Sequence, residues 1–450
     1  MYFLYSCVSA VTLLLASPWL AWRAARHGKY RHNLRERFGS LPPALNAERQ
    51  SSIWIHAVSV GEVLAARALI PGLRARYPDL RLFVSTTTRT GRDVASARLD
   101  DVDGLFYFPL DFAWPVRRVL QRIQPRLLLI VETEIWPHVL RACRQQGVPA
   151  MLINARISDR SFPRYKAARP VLRGVLHDFA RIGAQSQRSA DRLLAMGAPA
   201  DRVAVTGSLK FDALDWSAAN RSLSDHPARR VFGQLSERPV FVAASTLRGE
   251  DDLVLDTFEA LRARTSGAVL LLAPRHPERF DEVTALAARR GLHVSRRTHI
   301  EPDAPLAADV IVLDTVGELA SLFGFATVVF VGGSLVDRGG HNILEPALFG
   351  KPIIVGPSMH NFPDIASSFL EAQALVQVPD GAALTTAVLD LMSDAGQRDE
   401  LGSRARRLLE AHRGATQRTL DEIARVLPPT AGAMSPASPP AVAAAVREPR

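Results

Sequence analysis

At 450 residues, with 47% hydrophobic and 22% charged side chains, the chain exceeds one ordinary core and is too apolar for wholesale disorder, so two folded domains are expected. Its net charge of +10 admits nucleic acid, a membrane surface or an acidic substrate as partner. Half of that excess lies between Arg23 and Arg37, where six basic residues meet one Glu, and aromatic residues are only 7%, which argues against nucleic acid.

The chain opens with an uncharged apolar run from Tyr2 to Trp22, long enough to cross a bilayer as a helix. Trp19 and Trp22 sit near its end, and the basic stretch Arg23, Arg26, Lys29, Arg31, Arg35, Arg37 follows at once. A signal peptide carries its positive charge before the apolar run, so this order reads as an anchor with everything downstream on the cytoplasmic side. Pro18 shortens the clean span, and an interfacial helix is the other reading. The two cysteines, Cys7 and Cys143, form no disulfide framework and no zinc spacing, which suits a reducing compartment.

Beyond the basic stretch, apolar β-rich runs alternate with amphipathic helical patterns. The first set covers Ser52–Ala57, Leu80–Thr86, Arg126–Val131, Ala150–Asn154, Arg181–Ala184 and Val203–Thr206, with helices such as Glu62–Arg76 and Trp114–Gln124 between. The pattern breaks near residues 212–235 and restarts at Pro239–Ala244, Ala268–Ala273, Val310–Leu313, Thr327–Val331 and Pro352–Val355. Such alternation predicts two parallel sheets covered by helices. From about residue 428 the Pro/Ala-rich tail builds no core and is expected to be disordered.

Ligands of such sheets bind beyond the carboxyl ends of strands, which makes the polar residues there the candidates for a site. Glu62, in His56-Ala-Val-Ser-Val-Gly-Glu62, is either a dipole-compensating carboxylate or a catalytic one beside His56 and Ser59. Glu132 and Glu134 follow a buried strand, as cleft-lining carboxylates or as helix-start chemistry before Pro137. Lys210, after Gly207, suits a phosphate or carboxylate, or is a surface lysine. Arg275 and His276 follow another strand, and Val316-Gly317-Glu318 opens a turn with free N–H groups. The run Gly332-Gly333 to Gly339-Gly340-His341-Asn342-Ile343-Leu344-Glu345 offers loop N–H groups for phosphate and Glu345 for a ribose. No P-loop or dinucleotide fingerprint is present and no DxD-like pair sits where it would clearly hold a metal, so no metal or cofactor is expected.

The ordered set Arg35-Glu-Arg-Phe-Gly39, His56 to Glu62, Glu132-Thr-Glu-Ile-Trp-Pro137, Asn154-Ala-Arg156, Gly207-Ser-Leu-Lys210 and Val331 to Glu345 resembles the 3-deoxy-D-manno-octulosonic acid (Kdo) transferases of Gram-negative bacteria. The resemblance implies an α/β GT-B fold, two Rossmann-like domains with parallel sheets facing a cleft, plus an N-terminal membrane helix. Together with the sequence pattern it divides the chain into a transmembrane anchor (1–22), a basic juxtamembrane segment (23–42), an acceptor-binding domain (43–211), a linker (212–235) and a CMP-Kdo-binding domain (236–427), followed by the tail (428–450), of which the resemblance says nothing. It implies CMP-Kdo as donor, a lipid A precursor (lipid IVA) as acceptor, inversion at the sugar and an inner-membrane location. Position by position, Glu62 stands as base, Glu132 and Lys210 as transition-state stabilisers, and Arg275, His276, Val316, Gly317, Glu318, Asn342, Ile343, Leu344 and Glu345 as the CMP grip. Arg156 is the candidate partner of the Kdo carboxylate. The rival readings are another sugar-nucleotide enzyme of the same fold, such as a UDP-sugar transferase or epimerase, and a membrane-tethered solute-binding protein.

Overall fold

The computed structural model describes residues 5, 11, 15, 34–217, 229–302 and 305–429. Most of the expected anchor and basic stretch, the middle of the expected linker and the tail from residue 430 lie outside the described residues. Among the described residues no helix is long and apolar enough to cross a membrane. The chain forms two compact units, residues 1–213 with 414–450, and residues 214–413.

The first unit is built on seven parallel strands, β1 (Ser52–His56), β2 (Arg81–Thr86), β3 (Gly104–Tyr107), β4 (Pro125–Val131), β5 (Ala150–Ala155), β6 (Arg181–Ala184) and β7 (Val203–Val205), in the order β3-β2-β1-β4-β5-β6-β7. Its central strand β4 is apolar on both faces. Leu128 and Ile130 enter one core with Trp54 and Phe106, while Leu127, Leu129 and Val131 enter the other with Ile53 and Ile55. The order reverses between β1 and β4, which places the crevice for a ligand at the carboxyl ends of those two strands.

The second unit repeats the plan with β8 (Val240–Thr246), β9 (Val269–Pro274), β10 (Val294–Arg296), β11 (Val310–Val312), β12 (Val328–Val331), β13 (Ile353–Val355) and β14 (Val376–Gln377), all parallel, in the order β10-β11-β9-β8-β12-β13-β14. Here the reversal lies between β8 and β12. Three strands went unread in the sequence, β3, β10 and β14, and each lies at a sheet edge. An edge strand of two to four residues packs less and shows no unbroken apolar run.

Three expectations need correction. The pattern Glu62–Arg76 is two helices, Val60–Arg67 and Ile70–Arg76, because Pro71 has no N–H to continue the ladder and its ring crowds the preceding turn. The stretch 236–427 is not one domain, since helix Ala415–Val426 returns to the first unit. There Leu420 and Ile423 join the core of Val63 and Leu73, Glu422 pairs with Arg181, and Asp212 accepts from the N–H groups of Gly414 (2.9 Å) and Thr416 (2.6 Å) at the helix start. Finally, Arg37 is not left for a lipid surface. Its guanidinium donates to the Thr87 carbonyl (2.5 Å) and lies 5.2 Å from the Tyr107 ring centre, while neighbouring Glu36 accepts from the Tyr107 N–H at 2.8 Å.

Candidate active site

The first unit gathers its carboxylates at the switch point. After β1 the chain turns at Val58 and Ser59 and enters helix Val60–Arg67, with Glu62 in the first turn. The Glu62 carboxylate accepts from the Val58 N–H (2.7 Å) and from the Ser59 hydroxyl (2.9 Å), a local arrangement that resembles a capping box. Yet the residue is only 7% exposed, and burial pushes its pKa up to about 7, with the negative charges of Glu132 and Glu134 adding to the rise. The two hydrogen bonds pull the other way and do not win. The residue thus closes its own turn, and its raised pKa leaves it able to exchange a proton near neutral pH.

Glu132 follows β4 with φ of +62°, in the left-handed region that a non-glycine residue enters at a cost of about 1–3 kcal/mol. Its carboxylate meets the Lys210 ammonium at 3.0 Å. Lys210 reaches that place because Asn154, also left-handed at φ +54° and fully buried, accepts from the Leu209 N–H at 3.0 Å. Asn154 thus fixes the turn that delivers Lys210. Burial raises the pKa of Glu134 too, so three carboxylates and one lysine share the region. Arg156, just beyond β5, is half-buried, and its carbonyl accepts from the Thr133 hydroxyl.

His56 belongs to the core rather than to the chemistry. It is fully buried, its ring lies 3.7 Å from that of Phe108, and Nδ1 is bonded to Ser85. Desolvation lowers its pKa to about 3, so it stays neutral and is no proton acceptor at physiological pH.

In the second unit the glycine-rich loop is organised by a residue that went unread. Glu250, with no solvent exposure, accepts from the N–H groups of Leu247 (2.9 Å), Gly333 (2.7 Å), Ser334 (3.0 Å) and Leu335 (3.0 Å). Those N–H groups, expected to hold phosphate, are spent on the protein's own carboxylate. The loop is shaped for an anion, but the anion is internal. The only sequence signal was an acidic residue four positions after the end of β8, a strand in which Ser245 is left-handed at φ +56°.

Of the expected donor-binding residues, Arg275 and His276 are exposed just past β9, and both contribute to depressing the pKa of His341 to about 4, after burial as the larger cause. These three side chains therefore share one neighbourhood. Asn342 accepts from the Leu344 N–H (3.1 Å) and donates to Glu345 (3.1 Å), whose pKa burial raises. Ile343 and Leu344 are buried. The helix expected from His341 begins at Leu344 and is five residues long, and the one expected at Gly317 begins at Leu319 and has four. Neither is long enough to build a strong dipole. Val316 is 83% exposed, Gly317 is left-handed at φ +94°, and Glu318 pairs with Arg297 at 3.0 Å. Among the described residues no hydrogen bond or ion pair joins residues 316–318 to residues 342–345. A cavity of about 490 Å³, lined by Leu335, Ser358, Met359 and His360, opens beside the glycine-rich loop.

The sequence profile described as 3-deoxy-D-manno-octulosonic-acid transferase (kdotransferase) matches residues 32–213. A 3-deoxy-D-manno-octulosonic acid transferase of Haemophilus influenzae is 35% identical over 426 residues, covering 93% of this chain and 97% of that protein. The chain belongs to the Kdo transferase family. A Bordetella pertussis transferase of the same description is 36% identical over 416 residues, covering 90% and 95%. This Kdo transferase family member is accordingly a glycosyltransferase. Its two parallel-sheet units have the GT-B fold, also seen in the UDP-GlcNAc 2-epimerase of Neisseria meningitidis bound to UDP-GlcNAc. That structure is 14% identical, with a TM-score of 0.57 over 84% of this chain and all of the other, a likeness of fold alone.

Proposed function

We propose that the protein transfers Kdo from CMP-Kdo to a lipid A precursor with inversion, and that Glu62 is the general base. The observation that carries this is the buried Glu62 carboxyl at the β1/β4 switch point, with its pKa near 7 and the Lys210–Glu132 pair beside it. Glu62 takes the proton of an acceptor hydroxyl as that oxygen forms a bond to the anomeric carbon of Kdo. The bond from that carbon to the phosphate oxygen breaks, and CMP leaves with the electron pair. General-base assistance of this kind is worth about a hundred- to ten-thousand-fold in rate. Lys210, held on Glu132, supplies positive charge as the transition state separates. Arg156 takes the Kdo carboxylate.

The donor's nucleotide falls to the second unit, where Arg275 and His276 meet the phosphate and residues 316–318 and 342–345 hold the cytidine side. Since Glu250 already occupies the loop N–H groups, the exposed cations carry more of the phosphate recognition than the loop does. Residues 1–22 anchor the enzyme in the inner membrane with both units on the cytoplasmic side, consistent with the charge order around that run.

Mass spectrometry of lipid IVA incubated with freshly made CMP-Kdo and the protein tests the whole scheme. A gain of whole Kdo units, lost with Glu62→Gln, is expected. An unchanged acceptor with intact donor and folded protein would refute the Kdo assignment.

A further inference from the structure

The second unit carries a cavity at the end of its sheet that no step above uses. Its volume is about 280 Å³, and it lies at the amino ends of β8, β12 and β13, where Arg238 precedes β8, Thr327 precedes β12 and Lys351 precedes β13. The strands are parallel, so Glu250, Arg275 and the glycine-rich loop stand at the opposite end. The length of β12, four residues or about 13 Å, separates the two ends.

Three cations line the cavity, each brought by a different segment. Arg238 comes from the entry to β8, Lys351 from the entry to β13, and Arg398 from the first turn of helix Ala395–Ala411. The two arginines are held by main-chain carbonyls. Arg238 donates to those of Gly267 (2.8 Å) and Leu306 (3.1 Å), and Arg398 to those of Leu391 (2.7 Å) and Met392 (2.8 Å). These bonds fix the guanidinium groups without neutralising them. Asp399 is the one carboxylate among the described lining residues, and neither it nor any of the three cations makes an ion pair. Elsewhere in this unit arginines do hold carboxylates, as Arg279 holds Asp251, Arg290 holds Asp252 (2.9 Å) and Arg297 holds Glu318 (3.0 Å).

Lys351 is the telling member of the set. It is half-buried, its ammonium has no hydrogen bond among the described residues, and burial pushes its pKa down, with Asp399 opposing the shift. A desolvated cation without a counter-ion weakens the fold, and an anion entering the cavity would offset that cost. Charge and size set the class of ligand. Three cations less one carboxylate leave +2, which matches a dianion. The cavity falls below the roughly 300–1,000 Å³ of sites for drug-sized ligands, so the ligand is small. Each guanidinium keeps N–H groups that no carbonyl takes, and these suit the oxygens of a phosphate.

We propose that this cavity is a second anion site, which binds inorganic phosphate or a small phosphate ester through Arg238, Lys351 and Arg398. It stands apart from the residues assigned above to the sugar donor, and it holds whether or not that assignment does.

The test is calorimetric titration of the full chain with inorganic phosphate, glycerol phosphate and acetate at matched ionic strength. Every protein carries Arg275→Gln and His276→Gln, so that those exposed cations bind none of the probes. In that background Lys351→Met is expected to weaken phosphate by at least about tenfold, while Lys351→Arg keeps it. Lys351→Met should also melt no lower than its parent, because it removes a desolvated charge. Asp399 is exposed and forms no hydrogen bond or ion pair, so Asp399→Asn reads charge without disturbing packing, and it should tighten phosphate about threefold. Inorganic phosphate bound as tightly as the ester assigns the free ion, and tighter binding of the ester assigns the ester. Any one of four results overturns the proposal: no saturable binding of either probe, unchanged affinity in Lys351→Met, no gain in Asp399→Asn, or acetate bound as tightly as phosphate.

Discussion

Glu62→Gln separates the chemistry of this carboxyl from its structural part, because the two move in opposite directions. A carboxyl at about 7 is roughly one-tenth ionised at pH 6 and nine-tenths ionised at pH 8, so turnover limited by the chemical step should rise about tenfold across that interval. With Gln in place, turnover should fall by about a hundred-fold or more and lose this limb. Stability has the reverse sign. The folded-state value lies above the unfolded one of 4.5, so the folded protein binds the proton more tightly, and stability is lost as pH rises from there through about 7. The shift corresponds to roughly 3 kcal/mol, an order-of-magnitude figure for a group with little exposure. Gln, which carries no charge, removes that loss. Thermal melts of both proteins at pH 5 and pH 8, with single-turnover rates over pH 6–8, measure the two effects together. A Gln variant that turns over within tenfold of wild type, or one less stable than wild type at pH 8, would refute this account of Glu62.

The neighbours of Glu62 should tune the same limb with opposite signs. Glu132→Gln removes a charge that raises the Glu62 pKa, so the acid limb should move to lower pH, whereas Lys210→Met leaves Glu132 uncompensated and should move it higher; equal shifts in one direction would contradict the pairing. Glu250→Gln sets an amide against backbone N–H donors and should cost about 2–4 kcal/mol of stability and raise the donor KM more than it lowers kcat, read by denaturant melts and steady-state kinetics. Ile423→Ala, far along the chain from the first sheet, should destabilise the first unit by about 2–5 kcal/mol, detectable as loss of hydrogen-exchange protection in β1 and β4.

Where the sequence was legible, burial had left a mark on it. β4 shows as the unbroken run Leu127–Val131 because both of its faces are covered, and β8, β9 and β12 show for the same reason. The edge strands β3 and β14 carry Gly or Gln within their few residues and leave no such trace. Among site residues, Glu62, Glu132 and Lys210 stood out because each follows a strand or a strand and a glycine. That they form one charge cluster is visible only in space, since β1, β4 and β7 are distant in sequence.

Glu250 shows why a glycine-rich loop is weak grounds for a phosphate site when read alone. The Gly332–Leu335 backbone turns its N–H groups toward one point, and such a nest attracts whatever anion is nearest. A buried carboxylate on the turn after the neighbouring strand β8 is present at every moment of the protein's life, whereas a ligand phosphate is not. The nest is therefore rigid before the donor arrives, and no N–H group there has to be desolvated on binding. Under the function proposed above, recognition of a nucleotide by this unit then falls to side chains that remain open to solvent, chiefly Arg275 and His276. Charged side chains at an open site give an attraction that salt screens, whereas a buried nest gives one that salt barely touches. Donor affinity that falls steeply with ionic strength is thus the signature of the arrangement seen here, and affinity indifferent to salt would point back to the loop.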